Sequence, residues 1–390
     1  MIRDISGARE KKVEYIELIY DLIFVYVIGR NNLLLHDFAG GFVAPAAFMA
    51  YVLTTLAVIQ IWTYSTYYIN ICGTRRAREY VFLFINMFLL YFIGEGTRSD
   101  WQGYHAQYHA AWALILVNIG VQYLIEWRNE RRAGGAGKQS LRMTAILFCQ
   151  AAIVLADIPL FQATGTAWLS LAAVLFGMCA VFPVGRRGGT VDFPHLSERA
   201  MLYVVFTFGE MIIAIASYFE GEFSLSSVYF ALMAFLIVVG LFLSYGVFYD
   251  RIIDREKRTG GLGYMTLHIF LVFAMNNITN GLQFMREETV ALLPKTLFLI
   301  GSFVLFFCIL FAVGSSHARA RCRQYGRLCA RAGAAGAAFI VLMILLRGTM
   351  TVTVALTAAF VFAMFAILRQ YGKNMERLED RQADGERRVP

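Results

Sequence analysis

Charge is what this sequence has least of. Only 16% of its 390 residues are Asp, Glu, Lys or Arg, against about 25% in an average soluble domain. By contrast 58% are apolar or aromatic, and the mean hydropathy is +0.58. These values exclude a disordered chain, a fibrous protein and an ordinary soluble enzyme. A soluble core cannot hide that much apolar surface, so the excess must face lipid. Familiar catalytic and conducting signatures are missing as well. There is no Gly-x-x-x-x-Gly-Lys-Ser/Thr loop of a nucleotide-driven pump and no Thr-Val-Gly-Tyr-Gly filter. Neither a Gly-x-Ser-x-Gly elbow nor a His-Glu-x-x-His zinc pair occurs. The six cysteines (Cys72, Cys149, Cys179, Cys308, Cys322, Cys329) show no metal-ligand spacing and read as free thiols. No cofactor and no bound metal are expected.

What is there is a series of long apolar runs. A bilayer core of about 30 Å needs roughly 20 apolar residues per helix, and twelve stretches qualify: Val13–Leu35, Phe42–Ile69, Tyr80–Glu95, His105–Trp127, Met143–Phe161, Ala167–Val184, Glu198–Tyr218, Ser224–Phe248, Leu262–Phe284, Leu293–Gly314, Ala332–Leu346 and Met350–Leu368. Basic residues check the count, since cytoplasmic loops are enriched in Lys and Arg. With the N-terminus inside, only Arg98, Arg286, Lys295 and Arg347 of the 35 Lys and Arg fall in outer loops, and Arg30 and Arg199 fall within spans. All the others are cytoplasmic. The reading is therefore an all-α polytopic transmembrane bundle of twelve spans with both termini cytoplasmic, in the cell membrane. The net charge of +8 is an orientation signal that also attracts anionic lipid of the inner leaflet, and it needs no nucleic-acid partner. The N-terminal segment reads as lacking a removable signal peptide.

No soluble domain is expected. Residues 1–190 and 191–370 form two six-helix halves, and 371–390 a charged, mobile tail. A parallel repeat between the halves is suggested by the charged opening of their first spans and the aromatic ends of their second, Trp62, Tyr64, Tyr67 and Tyr68 in one and Tyr245, Phe248 and Tyr249 in the other. Interfacial anchoring alone also produces aromatic ends. Residues 128–142 and 315–331 read as hydrophilic linkers.

The charges inside spans carry most of the functional information, because one at the bilayer centre costs at least about 2.5–3.5 kcal/mol. Glu14, Glu17 and Asp21 share one face of the first span, within roughly 60°. They suit a cation or proton site, or a buried ion pair that orients the helix. In the seventh span His195, Arg199, Leu202, Phe206 and Glu210 form one stripe. Arg199 is the natural partner of Glu17 or Asp21. Glu210, about 16 Å further along the helix, is a second acid, and Gly209 before it leaves room for a close neighbour. Ser197 and Glu198 could also serve as helix-start capping. In the ninth span His268, Asn276, Thr279 and Gln283 form a polar stripe, either an aqueous lining or interhelical glue. His105 and His109 sit four apart, a metal-capable spacing, but no carboxylate or thiol partner is evident. Asp157 and Glu95 read as interfacial.

These stretches resemble the bacterial low temperature requirement A (LtrA) family. In that family the first span is similar to Glu-Leu-Phe-Phe-Asp-Leu-Val-Phe-Val, here Glu17-Leu18-Ile19-Tyr20-Asp21-Leu22-Ile23-Phe24-Val25. A second signature, His-x-x-Glu-Arg followed by Gly-Glu-x-Ile, is matched by His195 to Arg199 and Gly209 to Ile212. A third, a His early in a later span, is matched by His268. The chain departs where the family tends to place Arg-Phe-Asp after the Asn that ends the second span, since Asn70 is followed by Ile71-Cys72-Gly73. A Trp-Trp near the end of the eighth span is here Tyr245-Gly246. The departures mark a divergent branch. The family name refers to growth in the cold, so the resemblance implies which residues matter rather than a reaction.

Glu17, Asp21, His195, Glu198, Arg199, Glu210, His268 and Asn276 are the candidate pathway residues. The leading expectation is a proton- or cation-coupled transporter or permease of a small molecule or ion. The alternatives are a non-transporting scaffold, sensor or envelope factor needed at low temperature, and an intramembrane enzyme acting on lipid.

Overall fold

The computed structural model describes residues 12–74, 76–96, 101–187, 191–216, 224–318 and 325–386. Several expectations lie outside them: the N-terminal segment to residue 11, the end of the seventh span at Tyr218, Cys322, and basic positions including Arg75, Arg98 and Arg319. The described residues form twelve α-helices, one for each apolar run: α1 (Tyr15–Asn31), α2 (Pro45–Cys72), α3 (Ala77–Gly96), α4 (Trp101–Arg132), α5 (Lys138–Thr164), α6 (Trp168–Arg187), α7 (Phe193–Ala214), α8 (Leu225–Val247), α9 (Leu262–Arg286), α10 (Leu292–His317), α11 (Tyr325–Leu345) and α12 (Met350–Glu386). Among the described residues, ten helices are long and apolar enough to cross a membrane. The other two are α6, whose apolar part, Trp168–Val184, is short, and α7, which carries Glu198, Arg199 and Glu210.

The chain divides into two compact units. The first holds residues up to Asp37, Ala44–Phe206 and Arg258–Ile269. Its centre is α2, in which every residue from Leu53 to Asn70 except Leu56 is buried. A helix apolar all round belongs in the middle of a bundle. The polar side chains it carries inward must then find partners. Gln60 donates to the Val174 carbonyl and accepts from Gln150, whose amide oxygen also takes the Tyr64 hydroxyl. Around it α3 turns Val81, Phe84, Phe88 and Tyr91 outward, a stripe suited to lipid. The expected linker between α4 and α5 shrinks to five residues, because both helices extend past their apolar runs. Gly135 N–H closes the turn on the Glu130 carbonyl at 2.8 Å, and Gly137 adopts φ +59° beside the Trp127 ring.

Close packing in this unit is demanding at Gly177 of α6. A Cβ there would meet the Tyr64 hydroxyl and fall 2.6 Å from Gln150 Oε1. Gly177→Ala is therefore expected to break the Tyr64–Gln150–Gln60 chain and cost about 1–3 kcal/mol, read as a lower unfolding temperature in detergent.

The second unit comprises Phe38–Val43, Thr207–Lys257 and residues from Phe270 onward. A two-residue hairpin pairs Phe38 with Val43 and Ala39 with Phe42 around Gly40 and Gly41, both at positive φ. Its Phe38 and Phe42 rings pack on Phe284. α8 begins at a Ser224 cap, whose hydroxyl accepts the Ser227 N–H, and ends in a wider π-helical turn over Phe248–Ile252. α8 packs along α12, with Gly240 against Val361. Phe339 stacks on Phe360 with centroids 4.1 Å apart. The expected charged tail begins as a continuation of α12, which runs as helix through Glu386. The expected break after Leu346 is present, since α11 stops at Leu345 and α12 starts at Met350.

Candidate functional site

Three helices of the first unit build a buried charge cluster. On α1, Glu17 and Asp21 are one turn apart and share a face. On α7, His195, Arg199 and Tyr203 repeat the same four-residue step. α2 supplies Trp62 and Asn70. Arg199 straddles the two acids, with Nη2 2.5 Å from Asp21 Oδ1 and Nη1 3.2 Å from Glu17 Oε2. Arg199 and Asp21 are fully buried, and Glu17 and His195 nearly so. Such charges are tolerated inside a bundle only when paired. The expectation that Arg199 partners the first-span acids holds in this geometry, with both acids engaged at once.

Aromatic and polar neighbours hold the cluster in place. Trp62 Nε1 donates to Asp21 Oδ1 at 2.8 Å. The Trp62 ring stacks on Tyr203 at 4.2 Å between centroids. Asp192 caps α7 by accepting the His195 N–H on Oδ1 at 3.1 Å. The cap is therefore Asp192 rather than Ser197 or Glu198, and Ser197 bonds back to the Pro194 carbonyl. The Asn70 amide is oriented by two bonds to the Asp192 backbone, donating to its carbonyl and accepting its N–H. Its amide nitrogen then points at His195 Nδ1, 3.1 Å away. In a neutral His195 that accepts on Nδ1, Nε2 carries the hydrogen, and this atom lies 3.5 Å from Glu17 Oε2.

With His195 neutral, two carboxylates face one guanidinium, and the cluster carries one net negative charge. A single proton, on either acid or on His195, neutralises it. Glu17 also lines a small pocket with Glu14, Tyr68, Glu79, Tyr80 and Gln122, whereas Asp21 is closed off beneath the Trp62–Tyr203 stack. Beside Asp21, Tyr20 starts a polar chain through α3 and α4. Its hydroxyl meets Ser65 Oγ at 2.8 Å and takes the Asn86 amide at 3.3 Å, and Asn118 donates to Asn86 at 2.7 Å.

The model of the family described as Bacterial low temperature requirement A protein (LtrA) matches residues 12–367. The chain belongs to the LtrA family. No curated protein shows a significant match. The resemblance of the Glu17–Val25 and His195–Arg199 motifs to LtrA signatures thus falls on residues that meet in space, and the LtrA chain is a membrane protein with many apolar helices.

The remaining expected site residues lie elsewhere in the LtrA chain. Glu198 is half-buried on α7, off the Arg199 stripe. Glu210, also half-buried, and the buried Asn276 belong to the second unit. His268 is in the first unit, its Nδ1 2.8 Å from the Tyr264 carbonyl of its own helix. Among the described residues, nothing beyond its own stretch of helix lies within 4 Å of a Cβ built on Gly209, so none of them is the close neighbour expected there. Glu14 accepts a bond from the Tyr80 hydroxyl at 3.0 Å. The exposed Glu95 takes one from Tyr26.

Two sequence readings are corrected outright. Asp157 is fully buried rather than interfacial, and it is the carboxylate partner that His105 and His109 were expected to lack. Pro159 does not end the helix, and α5 runs on to Thr164, so Asp157 packs inside the bundle against α4. Trp62 read as one of the aromatics ending a span, yet it is fully buried against Asp21. Its position three turns inside α2 was the available signal.

Proposed function

We propose that this LtrA protein is a proton- or cation-coupled transporter with twelve spans and cytoplasmic termini, and that Glu17, Asp21, His195 and Arg199 form its coupling site. The observation that carries the reading is the make-up of the buried cluster, two carboxylates against one guanidinium. Two acids share one arginine, so the cluster has a place for one proton or cation. Occupying it frees Arg199 from one acid and changes the relation of α7 to α1, which supplies a differential contact between two access states. The pocket beside Glu17 is the approach from the side of the α2–α3 loop. Glu198 and His268 of the first unit, and Glu210 and Asn276 of the second, remain further pathway candidates, each within its own unit.

Proteoliposomes with a pH-sensitive dye in the lumen test it. A pH step is expected to drive faster proton flux than in protein-free vesicles, and Asp21→Asn is expected to abolish the difference. No excess flux in the wild type, or unchanged flux in both Asp21→Asn and Glu210→Gln, would remove the mechanism. The bond from Trp62 to Asp21 favours a second reading, in which the cluster is a static lock between helices of a non-transporting protein. Exchanging Glu17, Asp21 and Arg199 together for apolar residues of similar size would then preserve function, scored as cold growth of a complemented deletion strain.

A further inference from the structure

A second cluster in the first unit has no part in that mechanism. His105 and His109 stand one turn apart on α4, and Asp157 reaches them from α5. His105 Nε2 lies 3.0 Å and His109 Nε2 3.4 Å from Asp157 Oδ2, and the three atoms all fall within 4.8 Å of one another. All three residues are at most 1% exposed. We propose that His105, His109 and Asp157 bind one divalent transition-metal ion of the zinc class.

The hydrogen bonds prepare the ligand atoms. His109 Nδ1 donates to the His105 carbonyl at 2.7 Å. That bond fixes the neutral tautomer whose Nε2 lone pair faces the cluster, which is how metal-binding histidines are usually oriented. Phe161 stacks on His105 at 3.7 Å, and Trp101 packs its edge toward both imidazoles. The rings are thereby held in position before any ion arrives.

Ser170 adds a further close polar contact to the cluster. Ser170 Oγ lies 2.5 Å from Asp157 Oδ2 and 2.6 Å from His109 Nε2. A hydroxyl has one hydrogen, so it cannot donate to both, and in the neutral tautomer with hydrogen on His109 Nδ1 one of these close contacts joins two lone pairs. A metal at the centre of the three ligand atoms removes the conflict. Asp157 Oδ1 is buried with no hydrogen-bond partner among the described residues, so the carboxylate has a second oxygen available for the ion. Two histidines and one carboxylate leave a position open, the arrangement of a reactive rather than a closed structural zinc site. An access route adjoins it. Trp101 and Phe161 also form part of the wall of a cavity of about 440 Å³, together with Asp37, Gln102, Thr166 and Trp168.

The test uses the full chain, purified in detergent and stripped of metal, then titrated with Zn²⁺ and separately with Co²⁺. One equivalent of Zn²⁺ per chain is expected, and a Co²⁺ visible band of a four- or five-coordinate nitrogen–oxygen site that Zn²⁺ abolishes. His109→Gln and Asp157→Asn preserve size and hydrogen-bonding capacity and are expected to weaken Zn²⁺ binding by at least about 10–100-fold, the loss already seen when an outer-shell partner of a metal ligand is removed. Asp21→Asn should bind as the wild type does. The Co²⁺ spectrum of the wild type needs no variant to fold. Its absence, with no Zn²⁺ bound at micromolar concentration, would overturn the proposal and leave a protonated histidine pair to satisfy Ser170. Equal Zn²⁺ binding by the wild type and both ligand variants would overturn it as well. Because none of these residues touches Arg199, the result is independent of the transport reading.

Discussion

Replacing Arg199 by methionine is expected to be among the most damaging single changes in this protein. Methionine matches the length of the arginine stem but leaves Glu17 and Asp21 buried one turn apart with no guanidinium between them. Breaking a buried ion pair from one side costs about 3–5 kcal/mol, because the remaining charge is stranded in a low-dielectric site. Here two charges are stranded and repel each other. The expected result is loss of the monodisperse peak in detergent, or an unfolding temperature far below that of the wild type. Arg199→Lys should fall between the two, since it restores charge but cannot reach both acids with a planar fork. The decisive comparison is the triple variant Arg199→Met, Glu17→Gln, Asp21→Asn. Removing the stranded charges should recover most of the stability while leaving any proton flux abolished. If Arg199→Met alone is as stable as the wild type, the arginine is not neutralising the acids.

That cluster was legible in the sequence for a physical reason. Few charges lie in the apolar runs of this chain, and each must find an opposite charge within the bundle. With Glu17 and Asp21 on one helical face and Arg199 one of two basic residues counted within the runs, the other being Arg30, the pairing had few competitors. The helices themselves were legible from their apolar lengths. Facing partners were not. The expected fifth span already passes Pro159 and reaches Phe161, yet nothing in it shows Asp157 facing His105, 52 positions earlier in the chain. Residues far apart in sequence that meet side by side leave no periodic signal. The helical form of the residues that follow the apolar segment of α12 was not legible either, because a run of charged residues does not by itself distinguish helix from coil.

Trp62 is where the charge cluster and the apolar core share one side chain, and its two roles are separable. Its ring is fully buried and stacked on Tyr203, while its N–H is one of two donors to Asp21 Oδ1. Trp62→Ala empties a large volume and removes the donor, for an expected loss of about 3–5 kcal/mol. Trp62→Phe keeps most of the stacking surface and removes only the donor. A hydrogen bond to a charged group is worth about 1.5–3 kcal/mol, so the phenylalanine variant should unfold between the wild type and the alanine variant. A double-mutant cycle assigns the difference. In an Asp21→Asn background the bond is to a neutral amide, and Trp62→Phe should then cost about 0.5–1.5 kcal/mol. If the penalty is unchanged there, the indole contributes by packing alone, and Asp21 is free to change partners while Trp62 stays in place. If the penalty falls as expected, protonating Asp21 also loosens its bond to the indole. The charge state of α1 is then transmitted to α2 as well as α7, through a single buried atom, Asp21 Oδ1.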